Sequence, residues 1–222
     1  MSIEQKFILT GDLNFMGLGD AKHVFERIRS ELCAADAVIS NLECCFFADE
    51  SKANNQSCTG HFYERSGQRE GFYAHPAAVK ALKNANITMV GNANNTNFGD
   101  EAIRSTISVL NDQQIAFSGV GTNWEEACKP ALKTIHGIRV GLIQRTSVYW
   151  PSNHEASAVH PGVATVKIHT AYSPKIDGYA SNRPGTPPDI FTWVDSKYLK
   201  DLVTQIEKLR GSTDILIASF HW

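Results

Sequence analysis

Four short apolar runs organise the chain, and each is closed by polar residues of the same chemical kind. Residues 7–9 lead to Gly11-Asp12, residues 37–39 to Asn41-Leu42-Glu43, residues 87–90 to an asparagine-rich turn, and residues 215–217 to His221. Their length and β-branched content predict buried strands. The turn Asn92-Ala93-Asn94-Asn95-Thr96-Asn97 suits a sharp polar bend, because asparagine tolerates left-handed backbone and offers both an amide donor and a carbonyl acceptor. In an open α/β sheet, ligands gather in the crevice outside the carboxyl ends of the strands. Asp12, Glu43, Asn95 and His221 are therefore expected to converge there from nearly the whole length of the chain.

Helical periodicity fills the intervals. Asp20 is placed to cap a helix carrying Val24, Ile28 and Leu32 on one face, and Pro76 to open one carrying Val79, Leu82 and Ala85. Asp100 is expected to cap a helix with Ile103, Ile107 and Leu110 inward, and residues 124–127 make one helical turn. Residues 115–120 read as a strand. Residues 131–135 and 138–144 read as a hairpin around His136-Gly137, which makes His136 a turn residue. The clearest helix runs from its cap Asp195 to Gly211, with Leu199, Leu202, Val203, Ile206 and Leu209 on one stripe. This alternation predicts one α/β domain over residues 1–222.

Two excursions interrupt it. Residues 44–75 are polar with little periodicity but carry Phe62, Tyr63, Phe72 and Tyr73, which favour packing; His61 and His75 lie there as isolated loop histidines. Residues 146–194 hold six of the eight prolines and almost no helical pattern, apart from a possible strand at 163–169. That segment is either a cover over the crevice, with Arg183, His169 and His160 as substrate contacts, or a rigid surface loop.

A net charge of −2 with no basic run leaves nucleic-acid binding without an electrostatic footprint. No apolar stretch approaches the roughly 18 residues a membrane helix needs, and the first six residues lack a signal-peptide core. Five cysteines without a C-x-x-C pair argue against a disulfide framework and for a reducing compartment, so a cytoplasmic location is expected. Cys44-Cys45 follows Glu43 directly and could supply a thiol ligand; packing as small apolar residues behind the loop is the better reading.

Taken in order, Gly11-Asp12, Asn41-Leu42-Glu43, Asn94-Asn95 with Phe98-Gly99, Gly119-Val120-Gly121 with Glu126-Ala127 and Pro130, and His221-Trp222 resemble the CapA family. These are poly-γ-glutamate capsule biosynthesis proteins of the calcineurin-like metallophosphoesterase superfamily, some of them membrane-associated. The resemblance spans nearly the whole chain. It implies a four-layer α-β-β-α sandwich with a divalent-metal centre at the strand ends, acting on a phosphoester or polyanionic substrate. By position, Asp12, Glu43, Asn95 and His221 would be metal ligands, with Asn95, Thr96 and His221 at the reaction centre. Asn41, Asn94 and Arg183 would contact substrate.

Oxygen and imidazole donors suit Mn²⁺, Zn²⁺, Fe or Mg²⁺ without separating them. Such a centre clamps phosphate oxygens and acidifies water to near neutral pH. Two departures bear on activity. Where the family reads Asn-Asn-His, this sequence has Thr96, whose hydroxyl cannot ionise near pH 7; loss of a general acid costs on the order of 10²–10⁴ in rate. The family also continues past His-Trp-Gly to another histidine motif, whereas this sequence stops at Trp222. The fold is thus expected to be truncated, the metal weakly held, and the penultimate His221 loosely oriented. A hydrolase and a non-catalytic binding or assembly component of polymer synthesis both remain open, as does a metal-free small-molecule binding domain.

Overall fold

The computed structural model describes residues 4–16, 18, 21–48, 61–64, 69–149, 154–175 and 185–222, with only the backbone of 61–64 and 69–72. It is a mixed α/β protein in which parallel and antiparallel sheets coexist.

The first sheet is all-parallel, in the order β1 (Phe7–Leu13), β2 (Ala37–Leu42), β6 (Ile87–Gly91), β7 (Ala116–Ser118). Between β2 and β6 lie β3 (Cys45–Phe46), β4 (His61–Glu64) and β5 (Arg69–Ala74), which form a small sheet of their own. A second sheet has the order β14 (Ile215–His221), β10 (Ile138–Thr146), β9 (Ala131–Ile135). β9 and β10 form the expected hairpin, and positive φ at His136 (47°) and Gly137 (87°) closes its tight turn.

Strand periodicity of two decides what each sheet touches. Ala37, Ile39 and Met89 of the first sheet pack against Ala131, Ile135, Val140 and Leu142 of the second. The alternate residues Val38, Leu42 and Val90, joined by Ile87 across a register shift between β2 and β6, pack against Phe25, Leu32 in α1 (Arg29–Cys33), and Val79 and Leu82 in α2 (Val79–Asn84). Each such fully buried aliphatic side chain is worth roughly 1.5–3 kcal/mol. The outer face of the second sheet, with Ile143 and Leu216, packs against Leu202 and Leu209 of the long helix at Ser196–Arg210.

The register of β1 slips once. Leu9 pairs with Ile39 but Asp12 pairs with Asn41, so one extra residue sits at Thr10-Gly11. Without that bulge, alternation from Leu9 would turn Asp12 toward the helices. The extra residue returns it to the side facing the second sheet.

Several sequence expectations shift. Asp20 lies outside the described residues, and the first helix shrinks to α1 because residues 22–28 form turns. Leu32 is its buried residue, Ala21 and Phe25 are buried in the segment before it, and Val24 and Ile28 are exposed. Gly99, at φ 97°, is the N-cap of α3 (Asp100–Asp112), and Asp100 is the first helical residue. The strand predicted at 115–120 breaks at Gly119 into β7 and β8 (Val120–Gly121). There φ is 99°, and a Cβ would stand 2.7 Å from the Ala93 nitrogen.

One helical turn, α4 (Trp124–Ala127), is formed as expected, with Asn123 accepting from the Glu126 N–H. The strand expected at 163–169 divides into β11 (Gly162–Val163) and β12 (Ile168–Ser173). The latter pairs with β13 (Asp189–Val194). The helix α5 (Ser196–Arg210) is capped by Asp195 as expected, but Leu199 and Val203 of its stripe are exposed. No helix among the described residues is long and apolar enough to cross a membrane.

Candidate functional site

The three strands β1, β2 and β14 deliver their last side chains to one place. Asp12, Glu43 and His221 each offer a ligand atom, and these atoms lie within 4.8 Å of one another. Among the described residues this is the one such grouping of histidine, cysteine or acidic side chains. Asp12 is exposed, while Glu43 and His221 are half-buried. Burial first, and the neighbouring Asp12 carboxylate second, raise the Glu43 carboxyl above its ordinary value; His221 partly offsets them. Two carboxylates and an imidazole at this spacing form an oxygen–nitrogen donor set of the kind divalent cations take. The donor chemistry therefore fits a metal.

His221 is held more firmly than its place in the sequence suggests. It pairs with Thr146 in the ladder between β14 and β10, and its carbonyl accepts from the Ser147 N–H at 3.0 Å. Its Nε2 lies 2.9 Å from Asn95 Oδ1. As a hydrogen bond, that contact fixes the ring with Nε2–H donating and leaves Nδ1 with its lone pair. An acceptor fixing a histidine in this manner is the usual companion of a metal-ligating imidazole. The expectation of a loosely oriented His221 is corrected by these contacts.

Glu43 is positioned through its own peptide bond. The Leu42 carbonyl accepts from Asn92 Nδ2 at 2.7 Å, Asn94 Nδ2 at 2.8 Å and Asn97 Nδ2 at 3.1 Å. The Glu43 N–H donates to the Leu13 carbonyl at 2.8 Å. Both polar groups of one peptide unit are thus pinned, and Glu43 leaves it in a set direction. The asparagine-rich turn earns its composition here: three of its four amides converge on one carbonyl, and the fourth, Asn95, faces His221.

Thr96 lies inside the same turn. It is 4% exposed, and its hydroxyl donates to Asn94 Oδ1 at 2.7 Å. Asn94 is fully buried. The two side chains are thus tied to one another inside the turn. Asn41 reaches the Asp12–Glu43–His221 cluster, donating from Nδ2 to Asp12 Oδ1 at 2.7 Å. Arg183 lies outside the described residues.

Three other candidate histidines are engaged elsewhere, and the side chain of His61 lies outside the described residues. His75 accepts from the Ala77 N–H and caps the 3₁₀ turn Pro76–Ala78. His169 stacks on Trp193 and sits 2.9 Å from Asp195. His160 is exposed beside Asp100.

Cys44, Cys45 and Cys128 belong to the interior. Cys44 and Cys45 are fully buried in separate apolar clusters, and burial pushes both up to about 12. At pH 8 about one in 10⁴ such groups is thiolate, the reactive form. Iodoacetamide on the native protein is expected to modify the exposed Cys33 and spare Cys44, Cys45 and Cys128 until denaturant is added. Mass spectrometry of peptides reads the result, and prompt native labelling at Cys44 would contradict this packing.

Residues 5–222 match the family of bacterial capsule synthesis proteins, PGA_cap. The chain belongs to that family. A PGA_cap relative, the capsule biosynthesis protein CapA of Bacillus anthracis, is 20% identical over 202 residues, covering 90% of this chain. The chain spans only 40% of that relative's length.

The residues that hold the PGA_cap cluster in shape include four that strand-end reasoning passed over: Asn92, Asn97, Gln144 and Ser219. Asn92 and Asn97 sat in a conspicuous turn, and their task emerges only when Leu42 is brought beside it. Gln144 had one visible signal, a polar residue at the end of an otherwise apolar run.

Proposed function

We propose that this chain is a four-layer α-β-β-α metallophosphoesterase-type domain serving capsule polymer synthesis. Asp12, Glu43 and His221, with Asn95 as a further donor, would hold a divalent cation against a phosphoester or polyanionic substrate related to poly-γ-glutamate synthesis. The observation that carries this reading is the convergence of two carboxylates and an imidazole from three strands of two sheets. Helices on the outer faces of both sheets support the layering.

A divalent cation in this position supplies charge neutralisation for a phosphate and acidifies water near neutral pH. The protein's own groups do the remainder. Asp12 and Glu43 concentrate negative charge that a bare phosphate would avoid, so they select a cation before an anionic substrate. Asn95 keeps its amide N–H₂ as a donor for a phosphate oxygen while its carbonyl oxygen faces His221. Arg183 is the proposed cationic substrate contact. Asn94 acts through the Leu42 carbonyl, and Asn41 through Asp12.

The burial of Thr96 favours a second reading. With a hydroxyl turned into the loop in place of an ionisable side chain, protonation of a leaving oxygen has no evident donor at that position. A binding or assembly component that holds a polyanion without cleaving it fits this feature.

Release of p-nitrophenol from bis(p-nitrophenyl) phosphate, with and without Mn²⁺, separates the two. Hydrolysis predicts slow Mn²⁺-dependent release, reduced at least about 100-fold in Glu43→Gln. Mn²⁺ binding without any release would overturn the hydrolytic reading and leave the binding component.

A further inference from the structure

Behind the cluster a single line of amides crosses the space between the two sheets. The Ala93 backbone N–H donates to Gln144 Oε1 at 2.6 Å. Gln144 Nε2 donates to Asn41 Oδ1 at 2.9 Å and, with its other hydrogen, toward Ser219 Oγ at 3.3 Å. Asn41 Nδ2 then donates to Asp12 Oδ1 at 2.7 Å. Gln144 is 1% exposed and Asn41 9%.

The polarity of this line is determined at one end. A backbone N–H can only donate, so the group of Gln144 facing Ala93 must be its carbonyl oxygen. The N–H₂ of Gln144 must then face Asn41, which must answer with its own carbonyl oxygen. That leaves the Asn41 N–H₂ facing Asp12. Reversing any amide would set oxygen against oxygen or N–H against N–H in a buried space, where a mismatched polar group is left without water to satisfy it. The site is also built to admit Gln144. A Cβ on Gly91 would stand 2.3–2.6 Å from the Gln144 amide, so the side chain passes where only glycine leaves room.

We propose that Gln144 is a positioning residue that fixes the Asn41 amide with its donor toward Asp12. One Asp12 oxygen is thereby anchored, and the carboxylate is presented to the cluster in a single orientation. The consequence for cation binding rests on the reading of Asp12 as a ligand; the orientation of Asn41 does not.

Two readouts follow these separately. The first is the Asn41 side-chain amide resonances in an ¹⁵N–¹H spectrum. In the wild type, one Asn41 amide proton should be shifted and slow to exchange, and Asp12→Ala should abolish that signature. Gln144→Met, similar in volume and without polar donors, should do the same from the opposite side. Gln144→Glu offers a carboxylate to Asn41, should turn its amide over, and serves if the methionine variant does not fold.

The second readout is calorimetry with Mn²⁺ alone, which should show roughly 10–100-fold weaker binding in the Gln144 variants. A purely structural Gln144 would lower the melting temperature while leaving both readouts unchanged, and that result overturns the proposal. An Asn41 signature indifferent to Asp12→Ala overturns it without any Gln144 variant. If the wild type binds no Mn²⁺, the cation reading fails, and the relay stands or falls on the Asn41 resonances.

Discussion

Asp12→Ala is expected to weaken Mn²⁺ binding at least about 100-fold and to erase any metal-dependent turnover. Two effects combine. The substitution removes one of two carboxylates in a cluster of three charged or imidazole donors, and hard cations depend on ligand charge for affinity. It also strands the Asn41 N–H₂, which loses its acceptor. The wild-type site should itself be modest, because Asp12, Glu43, His221 and Asn95 supply fewer donors than the six or so oxygens such ions prefer. Titration calorimetry with Mn²⁺ tests both statements. An Asp12→Ala protein with wild-type affinity would place any metal elsewhere. Submicromolar wild-type binding would mean that further donors contribute.

The second large effect is on stability. Asn97→Ala should cost about 3 kcal/mol, lowering the melting temperature by roughly 6–12 °C for a domain of this size. Asn97 is fully buried, and its amide donates to the Asn92 carbonyl at 2.9 Å as well as to the Leu42 carbonyl. Alanine leaves a small void and an unanswered Asn92 carbonyl, while Leu42 retains two donors. Asn97→Asp should be worse despite its nearly identical shape, since it turns a carboxylate oxygen toward two carbonyl oxygens. Thermal unfolding of both variants decides this. An alanine variant within about 0.5 kcal/mol of wild type would mean that the amide cluster is incidental.

Much of the strand framework was legible because buried parallel strands read as uninterrupted apolar runs. Runs at 7–9, 37–39, 87–90 and 215–217 all became strands, and the donors closing β1, β2 and β14 met. What stayed hidden depended on partners distant in sequence. Nothing near Leu42 announces that three asparagines some fifty residues later will share its carbonyl. Gln144 takes its meaning from Ala93, Asn41 and Ser219, which lie on three other segments. The bulge at Thr10-Gly11 leaves only a glycine as its trace, yet it decides which way Asp12 faces. Helical stripes misled where too few turns formed to sustain them. Val24 and Ile28 follow helical spacing, but the chain there makes turns and buries Phe25 instead.

The order in which the ligand-bearing strands occur along the chain has a consequence for biogenesis. A ribosome releases the amino terminus first, so all four strands of the parallel sheet are available once residue 118 has emerged. At that moment Ala37, Ile39 and Met89 face outward, since the sheet that covers them begins at residue 131. His221, on β14, reaches its partners only after the other ligand-bearing strands have formed. An interrupted nascent chain would therefore display an apolar sheet face that invites chaperones or aggregation, and it would carry Asp12 and Glu43 without their imidazole. The cluster is complete only when β14 has been synthesised and docked.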